Sequence, residues 1–414
     1  MTRSSRAADT HPDLSVDARA IWSREPLGRR GFLRSSAAAV LGWASGRCGN
    51  VFAAAPASRP AIEARAATRG PRHHFFGYYD KTPWSKSGRY LLAMEIGFCD
   101  RQPEPGEPLT IGMVDLQDKD RFIPLDETTA WCWQQGAMLQ WLGSNPEREA
   151  IYNGLAEGRY VSIVRDVRDG RVRMLPRPVY AVSRNGEQAL SLDFARLGRL
   201  RPGYGYVAIP DATEKIAAPD DAGIYRMDVR TGRSELILSL AWAAAHQADD
   251  RFHGAHHWFN HLLFNPSGTR FIFLHRWTRP SGGWYTRMYT ARPDGTEVRL
   301  LSDTGMVSHF DWRDEEHILA WARTGQRHDR FYLFDDRTGE TEVIGEGVLT
   351  RDGHCSYSPD GRWILVDTYP DRQRMQRLML YRPADDRLIE IGRFAIPAPL
   401  IGKPYRCDLH PRWD

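Results

Sequence analysis

The chain of 414 residues is 42% hydrophobic, 26% charged and 11% aromatic, a composition that fits a soluble globular protein and excludes disordered or collagen-like chains. Its formal net charge of +4 arises at one end: residues 1–72 hold 12 Arg and 5 acidic residues, whereas residues 73–414 hold 44 basic and 47 acidic ones. The body of the chain is therefore slightly acidic, which argues against a nucleic-acid partner.

The basic end reads as an export signal. Arg29 and Arg30 precede the modest apolar run SSAAAVLGWASG and the small-residue stretch VFAAAPA, the layout of a twin-arginine signal peptide. Residues 1–55 are expected to be this signal, 56–72 a linker and 73–414 the folded domain, located in the periplasm or secreted. The apolar run is too short to remain as a membrane span. Of the cysteines beyond the signal, Cys99, Cys132, Cys355 and Cys407, none has zinc-type spacing, and they read as small buried side chains.

From residue 73 onward a hairpin recurs at intervals of roughly 45 residues, the period of a propeller. Its clearest copy is residues 256–277, HHWFNHLLFNPSGTRFIFLHRW, with two apolar strands around an Asn-Pro-Ser-Gly turn. Equivalent second strands begin at Ser85, Gly143, Ser183, Asn265, Arg313 and Ser358, and each is followed by an outer hairpin. Six four-stranded units are thus accounted for. Residues 406–413, RCDLHPRW, match the first strand of a further unit, so the expected fold is all-β, a seven-bladed β-propeller plan with an incomplete last blade. A six-bladed ring with a C-terminal tail is the alternative. Two long insertions, 196–221 and 241–255, sit where loops of a binding face belong.

Aligned on the residue just before each turn (Trp84, Trp141, Val182, Phe264, Trp312, Tyr357 and Trp413), the repeats carry Lys81, Met138, Val179, His261, His309, His354 and His410 three residues earlier. Rotation about a propeller axis superposes these positions, which predicts a nitrogen-rich arc around the channel. Four residues earlier still stand His257 and Arg406, an even step along a strand that would set each on the face of His261 and His410. His74, Tyr78 and Tyr79 in HHFFGYYDK, Gln134, Gln135, Asn260, Asp352 and Asp408 lie around the same arc.

The SPDG turn followed by RWILVDT resembles the repeat of TolB-type propellers, and the exported propeller with a histidine cluster resembles the oligogalacturonate lyase family. The specific segments are HHWFNHLLFNPSG, MVSHFDW and DGHCSYSPDG. In that family histidines with a glutamine hold a divalent metal ion and a further histidine is the base. The resemblance implies metal-bearing roles for His309 and His354, and a base at His257 or His261.

The arc offers the parts of a β-elimination from a uronate-containing glycan: Arg406 for the carboxylate, His257 or His261 as base, and Tyr79 or Tyr78 to protonate the departing oxygen. A divalent ion of the Mn or Zn class on His309, His354 and His410 would act as a Lewis acid. Lys81, His74, Asn260 and Gln135 complete the expected substrate contacts. The competing expectation is a non-catalytic envelope propeller that binds an anionic glycan or a protein on the same arc.

Overall fold

The computed structural model describes residues 64–143, 146–325 and 328–413. The expected signal and the linker as far as residue 63 lie outside the described residues. The chain divides at Ala64, and the propeller is built within the unit Arg65–Asp414. Its strands are β1 His73–Phe75, β2 Tyr90–Ile96, β3 Leu109–Asp115, β4 Arg121–Thr128; β5 Gln140–Trp141, β6 Glu149–Ala156, β7 Arg159–Asp166, β8 Val172–Leu175; β9 Ala181–Val182, β10 Gln188–Ser191, β11 Gly223–Asp228, β12 Ser234–Ser239; β13 His257–Phe264, β14 Phe271–Thr278, β15 Trp284–Ala291, β16 Arg299–Ser302; β17 Val307–Trp312, β18 His317–Ala322, β19 Arg330–Asp335, β20 Thr341–Ile344; β21 Cys355–Tyr357, β22 Ile364–Asp367, β23 Met375–Arg382 and β24 Arg387–Ala395. They form six antiparallel sheets of four strands, each a meander in chain order.

The turn seen in the sequence is the device that builds four of the six blades. In four copies the carbonyl of Ser85, Ser183, Asn265 or Ser358 accepts a hydrogen bond from the glycine three residues on, Gly88, Gly186, Gly268 or Gly361. Those glycines have φ between +68° and +75°, which a Cβ disfavours. The second strands then run through the interior: in β14 all but Thr278 is buried. Each large apolar side chain so enclosed contributes about 1.5–3 kcal/mol.

Neighbouring blades share continuous apolar clusters: blades one and two through Leu92, Met94 and Tyr152, two to four through Tyr180, Phe259 and Phe273, four and five through Leu274 and Phe310, five and six through Trp321 and Tyr381. A tryptophan strut recurs as well. Trp141 Nε1 donates to Pro83 O at 2.8 Å and Trp312 Nε1 to Leu263 O at 3.2 Å, each reaching the preceding blade one residue before its turn position.

The seven-bladed expectation is corrected to six blades. Residues 406–413 take the seat of a further first strand: Trp413 Nε1 reaches Ser356 O of blade six at 3.5 Å, and Arg412 Nη2 bonds Gly77 O of blade one. His410 even repeats the left-handed backbone of Met138 and His261, with φ of 45°, 55° and 52°. Yet the segment joins no sheet, because Pro404 and Pro411 lack N–H donors and β24 already completes the sixth meander. It is a wedge between blades six and one, further held by Gln134 Nε2 on Pro404 O and Arg406 O.

The first insertion is entered through α1 (Phe194–Leu200), capped by Asp193, and the second through α2 (Leu240–Ala245). Arg196 is buried and ties the first to blade four, donating to His257 O (2.7 Å), Thr213 O (3.1 Å), Ile216 O (3.1 Å) and Ala217 O (2.7 Å). All four cysteines expected in the folded part are free thiols; Cys132 and Cys355 are buried as expected, while Cys407 is exposed. Among the described residues no helix is long and apolar enough to cross a membrane.

Arg196→Met should remove a charged donor from those carbonyls, of which Thr213 O and Ala217 O keep the backbone N–H of Ile216 and His257, and cost on the order of 3 kcal/mol, read as a lowered urea midpoint at unchanged slope. A loss under about 0.5 kcal/mol would show that the insertion is anchored otherwise.

Candidate active site

Three first strands and the C-terminal wedge deliver the histidines to one place. The ladder of β13 is broken by a bulge between Asn260 and Leu263, and that of β17 between Val307 and Phe310. Bulges re-aim side chains; here they turn His261 and His309 out of their ladders toward the channel. His309 and His354 have ring centroids 4.1 Å apart, His354 and His410 4.4 Å. Tyr78 is the hub, 4.9 Å from His261, 4.9 Å from His410 and 5.5 Å from His354.

Each imidazole has a different electrostatic setting. His354 Nδ1 lies 2.9 Å from Asp367 Oδ2, and although burial pulls its pKa down, Asp367 and its neighbours raise it overall. His309 Nδ1 lies 2.9 Å from Asp352 Oδ1, but burial prevails and lowers its pKa. Burial, then His354, pushes His410 well below the ordinary imidazole range. Burial, then Arg276, does the same to His261, which is therefore neutral near pH 7.

His261 is held by a network of which the sequence marked Gln135 and Asn260 as separate polar residues but not Tyr180, its centre. The Tyr180 hydroxyl donates to Asn260 Oδ1 at 3.0 Å and accepts from Gln135 Nε2 and from the His261 N–H at 3.0 Å. Lys81 is nearby, paired with Asp80 at 2.8 Å, its Nζ 5.6 Å from the Tyr180 ring centroid. Arg406 pairs with Asp408 at 2.9 Å and lies over the Tyr369 ring.

Other expected residues are elsewhere. His257 stacks on His275, with Nδ1 2.8 Å from His275 Nε2, because the bulge ends the simple alternation that would have aligned it with His261. His74 faces Glu95 at 3.0 Å on blade one. Tyr79 keeps its ring near His354, but its hydroxyl is spent on Phe310, accepting from N at 2.9 Å and donating to O at 2.7 Å.

A cavity of about 270 Å³ opens beside His261, His309 and Tyr78, lined also by Arg201, Tyr204, Arg276, Arg279, Trp284, Asp352 and Tyr369. The sequence alone did not reveal its three arginines. None has a carboxylate within ion-pair distance among the described residues, and the Nε of Arg201 and of Arg276 is buried without a partner. Arg276 is itself buried, and that burial, with Arg201 beside it, brings its pKa down to about 10. Cationic groups without counter-ions in a cavity are a receptor for an anion. The available signal was Arg276 inside the otherwise apolar run FIFLHRW; Arg201 and Arg279 stand in loops without a pattern.

Beside this cavity, ligand atoms of His354, Asp408 and His410 lie within 4.8 Å of one another. The Nε2 atoms of His354 and His410 are buried and unpartnered, while Asp367 orients the His354 ring from behind. That donor set fits a divalent cation. His309, the remaining expected ligand, stands next to it with its Nε2 3.4 Å from the Tyr369 hydroxyl.

No protein-family model matches the chain, and no curated protein matches it by sequence. Solved structures do. An oligogalacturonate lyase in complex with manganese superposes with a TM-score of 0.56 at 15% identity, over 79% of this chain and 80% of that one. The oligogalacturonate lyase of Vibrio parahaemolyticus gives 0.53 at 14% identity, over 78% and 80%. TolB from Acinetobacter baumannii is also similar, at 0.38 and 14% identity, over 68% and 59%. The chain thus has a β-propeller fold like that of the oligogalacturonate lyase structures.

His261 should remain unprotonated at pH 6 by NMR of its ring nitrogens. Arg276→Gln removes a neighbouring positive charge and should move that titration upward; no movement would mean that the two side chains do not sense each other.

Proposed function

We propose that the protein is a carbon–oxygen lyase that cleaves a uronate-containing glycan by β-elimination. One observation carries this reading: a neutral, buried imidazole and guanidinium groups without counter-ions face the same small cavity. Arg276, with Arg201 and Arg279, binds the uronate carboxylate and draws electron density from it, which acidifies C5–H. His261 takes that proton, and the Gln135–Tyr180–Asn260 network fixes its ring. Trp284 and Tyr204 position the Arg201 guanidinium, which lies 4.2 Å and 4.4 Å from their ring centroids. Arg406, paired with Asp408, does not line the cavity and reaches it only by packing over Tyr369, which does.

The ion named in the manganese complex has a fitting counterpart set here: His354, His410 and Asp408 would hold it, and when bound it supplies Lewis-acid polarisation of an anionic oxygen. The reading includes export through the Arg29–Arg30 segment, so that the enzyme meets its polymer outside the cytoplasm.

Uronate oligomers of different linkage should yield unsaturated products that absorb in the ultraviolet. His261→Ala should lower kcat by about 10²–10⁴. Arg276→Gln should lower kcat/KM by at least tenfold, about the value of one charge-assisted contact. Tight binding across the panel with no absorbing product would instead indicate a non-catalytic glycan receptor.

Dialysed protein should take up about one Mn2+ per chain by calorimetry, and His354→Ala should abolish that uptake. Equal uptake by variant and parent would remove His354 from the cation site.

A further inference from the structure

β-elimination also needs a proton for the leaving oxygen, and the tyrosines expected to give it are poorly placed or unsupported. Tyr79 has both hydrogen-bonding capacities of its hydroxyl occupied by the Phe310 backbone. Tyr78 is packed among four histidine rings, and among the described residues no hydrogen bond holds its hydroxyl. Tyr369 is different. It follows β22, lines the same cavity as His261 and Arg276, and its hydroxyl is 3.4 Å from His309 Nε2. His309 is in turn fixed through Nδ1 by Asp352 at 2.9 Å, and the Arg406 guanidinium lies 5.3 Å from the Tyr369 ring centroid.

We propose that Tyr369 is the acid that protonates the departing C4 oxygen, with His309 and Asp352 as positioning residues that hold its hydroxyl. The assignment rests on the lyase reading above. It gives the histidines separate roles, since His354 and His410 leave Nε2 free, whereas His309 has both ring nitrogens engaged, one by a carboxylate and the other by the phenol. In the step, the C5–H bond breaks and its proton passes to His261. The electron pair forms the C4=C5 double bond and the C4–O bond breaks; the Tyr369 O–H, which rests as the donor to His309 Nε2 at 3.4 Å, turns about its C–O bond and passes its proton to the released oxygen to give an alcohol. The phenolate formed is stabilised by Arg406. His261 and Tyr369 regain their resting forms by exchange with water, so no proton is gained or lost overall.

The test compares two leaving groups on the same uronate: a sugar oxygen, which must be protonated, and fluoride in a 4-deoxy-4-fluoro uronide, which leaves without a proton. Tyr369→Phe should lose about 10²–10⁴ in kcat on the oligouronide at nearly unchanged KM, yet stay within a few-fold of the parent on the fluoride. Asp352→Asn should lower kcat on the oligouronide, again without raising KM, and also spare the fluoride. The proposal is overturned if Tyr369→Phe cleaves the oligouronide within about threefold of the parent, or if it loses both substrates equally. A parent inactive on both substrates would instead refute the lyase reading, and the assignment with it. Uronate binding by the variant, measured alongside, separates loss of chemistry from loss of fold.

Discussion

The histidine cluster of this protein depends on interruption of the β-ladder next to the propeller axis. A first strand that stayed regular would point alternate side chains into the sheets on either side and present little to the channel. The bulges at His261 and His309, and the left-handed backbone at His261 and His410, instead turn imidazoles toward the axis. Such conformations cost of order 1 kcal/mol or more at non-glycine residues and persist only where packing over-determines them. Here the restraints are visible: Tyr180 and Asn260 grip the His261 N–H, while Arg412 bonds the His410 carbonyl.

The channel is divided electrostatically into two sides. On one, Asp352, Asp367 and Asp408 stand behind His309, His354 and the wedge, so positive charge is tolerated there and a cation finds prepared donors. On the other, Arg201, Arg276 and Arg279 surround the cavity beside a neutral His261. An anion entering between them would meet unpaired guanidiniums first and the imidazole next. Burying charge without a counter-ion is expensive, so an anion bound beside Arg276 would return stability to the fold.

The wedge links architecture to chemistry. No apolar cluster joins blade six to blade one among the described residues as clusters join the other neighbours, and polar contacts of residues 404–413 bridge that seam instead. Arg406, Asp408 and His410 all lie on this segment. The site is therefore complete only while the wedge is seated, and its seat is made of hydrogen bonds to backbone carbonyls rather than of a sheet.

The sequence by itself determined the repeated hairpin, and with it the propeller, because turn chemistry and alternation are local properties carried by residues such as Asn265, Gly268 and the apolar strand beyond them. Rotational equivalence of the repeats also makes the cluster of His261, His309, His354 and His410 legible in the sequence. Blade number was not legible: residues 406–413 have the sequence and even the backbone of a first strand, and only tertiary packing showed that they pair with no sheet. The placing of His257 failed for a related reason, since one bulge shifts every side chain beyond it and leaves no clear mark in the sequence. Arg201, Arg276 and Arg279 come from an insertion, a strand and a loop. That they converge without counter-ions is a fact of three-dimensional proximity, set by how blade four meets the first insertion, and no pattern along the chain encodes it.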